Sequence, residues 1–311
     1  MIKNYTALFF LSFLLASGLR CQEIQLFKVQ DFDLNGKVKS CLVITDYGRE
    51  SFEFNKEGIL TKTVTQYNDT DQDITYYKYE NGELMEKRME SYKNNVLDAS
   101  TSMANFYEID TVPQRKVLEK IISYDKEFLE QQEYVYDDEG RLAKIITSNP
   151  EGVDETTFEY TPYKNELTTS TFTNGILEKT VRTSERKGPK GIQEVILTKE
   201  YIDGEPNIAT EEVFNAENNL VTSEFFQYDV DEKEFVSQEK LFYHYSNGVL
   251  DKVVTKKVNT ESVENYIFQF DNNEEKNWVK KIITPDNTYT TRVITYYPDE
   301  EPKVEPNNKK R

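Results

Sequence analysis

Apolar and polar residues along this chain follow a period of two, broken at short intervals by polar turns. Tyr134 to Ile145, YVYDDEGRLAKI, shows the unit: two aromatics two apart, an acidic turn, a glycine, then Leu and Lys. Residues two apart on a strand point to the same face, so Tyr134 and Tyr136 lie side by side. Asp favours the opening of a turn through side chain to backbone hydrogen bonds, and Gly140 takes positive φ without a Cβ penalty. Leu142, Ile145 and Ile146 begin a return strand, so the unit is a β-hairpin.

The same grammar recurs. Phe52 and Phe54 precede NKEGIL, Tyr77 and Tyr79 precede ENGEL, and Phe158 and Tyr160 precede TPYKNEL. Phe226 and Tyr228 precede DVDEKEF, Tyr243 and Tyr245 precede SNGVL, and Phe268 and Phe270 precede DNNEEKNW. Looser copies are TFTNGIL and VFNAENNL, the latter with Asn218 where the glycine would stand. Asn tolerates positive φ next best. The turns come in two lengths, and hairpins accommodate both. Phe54 to Tyr79 is 25 residues, Tyr136 to Tyr160 is 24 and Tyr245 to Phe270 is 25, which fits two strands plus two turns. The period breaks between Tyr79 and Tyr136, where the segment is a degenerate repeat or an insertion. Gly58, Gly82, Gly140 and Gly248 are the expected turn glycines. Phe54, Tyr79, Tyr136, Tyr160, Tyr245 and Phe270 are expected at equivalent places, buried as the glue of a scaffold or exposed as a binding stripe.

The pattern predicts an all-β chain of repeated antiparallel hairpins forming an extended, curved sheet or meander of many strands. Alternation is imperfect in segments such as ILTKTVTQY, which fits a sheet partly covered on both sides or a long curved one. No segment shows a long 3.6 period capped at both ends.

YDDEGRL resembles the core of the YD (RHS-type) repeat at Tyr136, Asp137, Gly140, Arg141 and Leu142. The run NWVKKIITPDNTYTTRVITYY is similar to the end of uncharacterised secreted proteins of Bacteroidetes bacteria that carry divergent repeats of this sort. The resemblance covers roughly residues 37 to 297. Full-length RHS proteins form large shells around a toxin. This chain is far shorter and shows no self-cleavage motif of that family, so those functions do not carry over.

MIKNYTALFFLSFLLASGLRCQE reads as a secretory signal, with Lys3 at the start, an apolar core and small residues before a cut after Gly18 or Cys21. The expected organisation is a signal over 1–21, a single β-hairpin repeat domain over 22–300 and a disordered tail over 301–311. The chain is then exported, periplasmic or extracellular, with a lipid anchor on Cys21 as the alternative. No integral membrane segment is expected after signal removal. Removing residues 1–21 takes away Lys3 and Arg20 and no acid, so the net charge moves from −18 to −20. That acidity argues against nucleic acid and anionic membranes as partners. Cys21 and Cys41 are the two cysteines, so the chain is no disulfide scaffold.

Candidate chemistry is sparse. His244, the single histidine, lies between Tyr243 and Tyr245 and should face away from them. Asp69, Asp71 and Asp73 have the spacing of the first ligands of a calcium loop, a weak candidate because Ile74 stands where the turn glycine should be. Trp278 reads as an anchor of the last hairpin. No cofactor and no catalytic residue are expected. The leading function is a non-catalytic secreted repeat protein with a binding or structural role at the cell envelope, its partner an unknown protein or glycan. A carbohydrate-active enzyme with two convergent carboxylates and a partner-neutralising, immunity-like module are the alternatives.

Overall fold

The computed structural model describes residues 26–189 and 191–298. The expected signal with Cys21, and the expected tail 301–311, lie outside the described residues. A short 3-10 helix, Val29–Phe32, comes first. The strands follow: β1 Val38–Thr45, β2 Gly48–Phe54, β3 Leu60–Gln66, β4 Gln72–Glu80, β5 Glu83–Lys93, β6 Val96–Leu97 and β7 Met103–Asp110. Next come β8 Lys116–Ser123, β9 Phe128–Tyr136, β10 Leu142–Asn149, β11 Gly152–Tyr163, β12 Glu166–Thr173, β13 Ile176–Gly188 and β14 Gly191–Ile202. The last are β15 Glu205–Phe214, β16 Leu220–Asp229, β17 Glu234–Ser246, β18 Val249–Lys257, β19 Thr260–Phe270, β20 Trp278–Thr284 and β21 Thr288–Tyr296.

Each strand pairs antiparallel with the next in sequence. The exception is two-residue β6, which sits beside β5 alone while β5 pairs on to β7. The stretch where the period breaks therefore keeps its hairpins: β7 and β8 form one, and residues 94–102 make a small excursion before it. β21 then pairs with β1, from Val38 opposite Tyr296 to Ile44 opposite Thr291. Twenty strands thus close into an antiparallel barrel. This corrects the extended, curved sheet or meander of many strands expected from the sequence, which did not say whether the sheet closes: the strands are hairpins as expected, and the two outer edges are joined.

The bulges supply a physical reason. Phe54 faces Leu60 while Glu53 faces Lys62, so Thr61 is an extra residue. Met85, Ala143, Val221, Asp251 and Val279 are extra in the same place, one residue into each return strand, and so is Lys39 of β1. A bulge bends its strand and strengthens its twist. Leu129, Glu178, Asn207 and Gln238 are extra in hairpins of the opposite end, and bulges repeated around a sheet curl it until first and last strands meet. They also explain the imperfect alternation, because the inward set shifts by one residue at each.

Directly opposed residues share a face, so the ladders sort every strand into an inward and an outward side. The inward side carries the three buried clusters. One gathers Leu84, Tyr107, Val117, Tyr134, Tyr136, Leu142 and Ile145. The second packs Val29 and Leu34 from the N-terminal segment on Val38, Cys41, Phe54 and Leu60. The third is Val181, Ile196 and Phe214. Val195, Ala209 and Val213, on the outward side, are also buried. A round barrel of twenty strands would measure about 40 Å between backbones, more than side chains alone fill. The interior accordingly has separate clusters rather than one continuous core.

Candidate functional site

The repeated motif builds one mouth of the barrel. Strands arriving there end on an inward aromatic or apolar residue, and the return strand opens on another directly opposite. The pairs are Phe54–Leu60, Tyr79–Leu84, Ile109–Val117, Tyr136–Leu142 and Pro162–Leu167 on one arc. Phe214–Leu220, Tyr245–Leu250, Phe270–Trp278 and Tyr296–Val38 continue it. The hairpin of β13 and β14 departs from the rule, with Lys187 opposite Ile192. Most aromatic pairs of the sequence are thus two layers of an apolar collar; Phe226 and Tyr228 are the exception, opposite Ala209 and Phe235 on the outward side, near the β16–β17 turn at the other mouth. Phe54 and Tyr136 are buried, Tyr79, Tyr160 and Tyr245 half-buried, and Phe270 is 43% exposed.

The longer turns share one hydrogen-bond pattern. Oδ1 of Asp137 accepts from the backbone N–H of Glu139 and Arg141, at 2.9 and 2.8 Å. Asn55 accepts in the same way from Glu57 and Ile59, and Asn215 from Glu217 and Asn219. Gly58, Gly82, Gly140 and Gly248 have φ of 77°, 83°, 77° and 79°, and Asn218 has 61°. Arg141 pairs with Asp137 and stacks its guanidinium 4.4 Å from the Tyr160 ring. The hydroxyls of Tyr160, Tyr245 and Tyr297 donate to the carbonyls of Leu142, Leu220 and Phe54. The YD-like positions therefore serve as turn, bulge and collar.

Residues 26–37 lie across the inward side of this mouth. Val29 N–H donates to the Gly58 carbonyl and Leu60 N–H to that of Phe27, each at 2.9 Å. The Phe32 ring packs 4.6 Å from Phe52 and 5.4 Å from Phe54. On the other flank, Trp278 Nε1 donates to Asp33, and Arg292 donates to the carbonyls of Phe32 and Asp33, each at 3.0 Å. The Arg292 guanidinium lies 3.5 Å from the Trp278 ring centre. Asn277, buried, accepts from Asn35 N–H and donates to the Asn35 carbonyl.

Deeper in the wall, Glu119 is buried on the inward side of β8. It accepts from Tyr107 and Tyr134 hydroxyls at 2.8 and 2.7 Å and from Asn105 at 2.6 Å. Burial and the Glu119 carboxylate hold both phenols well above their usual range. The sequence held a signal for this site, a charge in the inward run Val117, Glu119, Ile121. It held none for Asp33, Arg292 and Asn277, which meet from opposite ends of the chain.

The remaining candidates are placed as follows. Asp71 accepts from Asn68, Thr70 and the Asn94 backbone, which hold its carboxyl below the usual range. Asp73 accepts from Tyr67 at 2.8 Å. Asp71 and Asp73 border a recess of about 380 Å³ with Tyr67, Ser91 and Lys93. Among the described residues, no three or more His, Cys, Asp or Glu side chains are grouped to hold a metal ion. His244 is exposed, opposite Lys252 on the outward side. Cys41 is buried as a free thiol, and burial pushes its pKa up to about 11.

The outward side carries cross-strand ion pairs. Lys120 reaches Glu108 at 2.6 Å, Lys144 reaches Glu155 at 2.9 Å and Lys240 reaches Glu224 at 2.5 Å. Among the described residues, no helix is long and apolar enough to cross a membrane, which says nothing of strands.

No family model matches the chain, and no curated protein matches it. Among solved structures it is similar to a porin-like protein from Bacteroides uniformis ATCC 8492. That likeness has 10% identity, covers 83% of this chain and 98% of the other, and has a TM-score of 0.33. It is also similar to the Photorhabdus luminescens Tc holotoxin pore, at 11% identity over 78% of this chain and 18% of that one, with a TM-score of 0.17. Both scores are too low to bear on function.

Proposed function

We propose that the protein is a non-catalytic, exported barrel that works in water, in the periplasm or outside the cell, with a binding or structural role at the envelope. The observation that carries the aqueous reading is the outer wall. Lys120–Glu108, Lys144–Glu155 and Lys240–Glu224 sit within the strands, on the side a bilayer would touch. Lipid-facing barrels carry an apolar band there, and a Lys or Arg at the bilayer midplane costs about 2–4 kcal/mol. Several such charges would together approach the whole stability of a domain, about 5–15 kcal/mol.

The binding half of the reading rests on the collar. Its Phe54 side is covered by residues 26–37, whereas Phe270 is 43% exposed. Half-buried Tyr245 and Phe268 lie on the same part of the mouth. An exposed aromatic arc in a polar surround suits a glycan ring or an extended peptide.

Two measurements test this. Purified without detergent, the chain should stay monodisperse and remain at the bottom in vesicle flotation. Flotation with vesicles, or stepwise conductance in a planar bilayer, would overturn the aqueous reading. A glycan and peptide screen should then yield a ligand whose affinity falls at least tenfold in Phe270→Ala. Retention of full affinity in that variant would remove the collar as the site.

A further inference from the structure

We infer that residues 26–37 are a strap that holds the closing seam of the barrel, so that opening begins with strap and seam together. The ladders along the chain join strands that are close in sequence, most through short turns that fix their register. The seam has no such turn: Ser40 and Thr295, whose hydroxyls lie 2.6 Å apart, are 255 residues distant in the chain. Closing so long a loop costs more conformational freedom than closing a hairpin.

The strap compensates by gripping both sides of the seam. It extends the β2–β3 hairpin through the Val29–Gly58 and Phe27–Leu60 backbone bonds and the Lys28–Ile59 bridge. It crosses β1 on buried Val29 and Leu34, packed with Val38 and Cys41. It then takes hold of β20 and β21 through Trp278, Arg292 and Asn277. The Arg292 side chain is 11% exposed, and on the strap it donates to the carbonyls of Phe32 and Asp33 at the end of the 3-10 helix, with the Asp33 carboxylate 3.9 Å away. A strap that leaves would strand this cation and uncover Phe54 and Leu60. Strap and seam therefore share one opening event. Two freed strand edges would then be open to pairing with another chain.

Hydrogen exchange on the full chain, read by mass spectrometry, tests this in two ways. In the wild type, peptides covering the strap, β1 and β21 should exchange with one common protection factor, at least tenfold below that of β12 to β14. In Leu34→Ala, which leaves every strand residue in place, protection of β1 and β21 should fall at least tenfold while β12 to β14 stay unchanged. Protection in β1 and β21 that is independent of the strap in the wild type, or an equal loss in all strands of the variant, would overturn the inference. The wild-type comparison decides the matter even where the variant folds poorly.

Discussion

Gly140→Val tests whether the repeated turn is a conformational requirement or a packing accident. Gly140 sits at φ 77°, and a Cβ built there meets nothing within 4 Å. Any cost is therefore backbone strain, not a clash. For an L-residue the left-handed region costs about 1–2 kcal/mol, and a β-branched side chain sits at the upper end. The turn cannot simply relax, because Asp137 Oδ1 holds the N–H groups on both sides of Gly140 and Gly140 N–H donates to the Asp137 carbonyl at 3.0 Å. About 2 kcal/mol follows, or a fall in Tm of about 3–4 °C for a domain of this size. Gly152→Val is the control: open space surrounds that Cβ too, and its φ lies outside the left-handed region. Differential scanning calorimetry of the two variants should separate them clearly. A Gly140→Val melting point within a degree of wild type, or an equal loss in Gly152→Val, would refute the turn argument.

Three further outcomes are expected. Cys41, its thiol pKa pushed up to about 11 by burial, should resist a thiol reagent at neutral pH in the folded chain and react in denaturant; prompt labelling of the native protein would contradict its placement. Half-buried Tyr243 is pushed up to about 12, mainly by burial. Its neutral form is preferred in the fold, so its stability contribution is full below the unfolded value near 10 and declines as pH rises from about 10 to 12. Tyrosinate absorbance should show this late class beside the melting curve; uniform titration near 10 in the native state would count against it. Glu119→Leu should cost about 3–5 kcal/mol, since it leaves two buried phenols and an amide without their acceptor, and Glu119→Gln should cost less because one oxygen remains; equal urea midpoints for the two would place the carboxylate outside the network.

The local fold was legible because each hairpin carries its own instructions. Aromatic spacing gave the inward face, except at Phe226 and Tyr228, which face outward, and Gly or Asn at the turn gave positive φ, even at Asn218. The extra residue in the longer turns was visible as well. What that reading lacked was the bulge one residue into the return strand. Thr61 after Leu60 shifts the inward set to Thr63, which looks in sequence like a strand with apolar groups on both faces. In the sequence it fits a sheet partly covered on both sides, or a long curved one. Read as a repeated bend, it supplies the curvature that brings β21 to β1.

Closure also lies beyond a local reading because its partners share no motif. Arg292 is one charge among TTRV, and Asp33 one acid in DFDLNG, each ordinary in its own segment. They become a pair, 3.9 Å apart, only when the seam forms. The same closure decides what the outer wall means. On an open sheet the Lys–Glu ladders would be one solvated face of two. On a barrel they are part of the exterior, beside outward apolar residues such as Phe106, Ile267 and Val293, and the proposal of a barrel working in water rests on those charges standing where a bilayer would demand hydrocarbon.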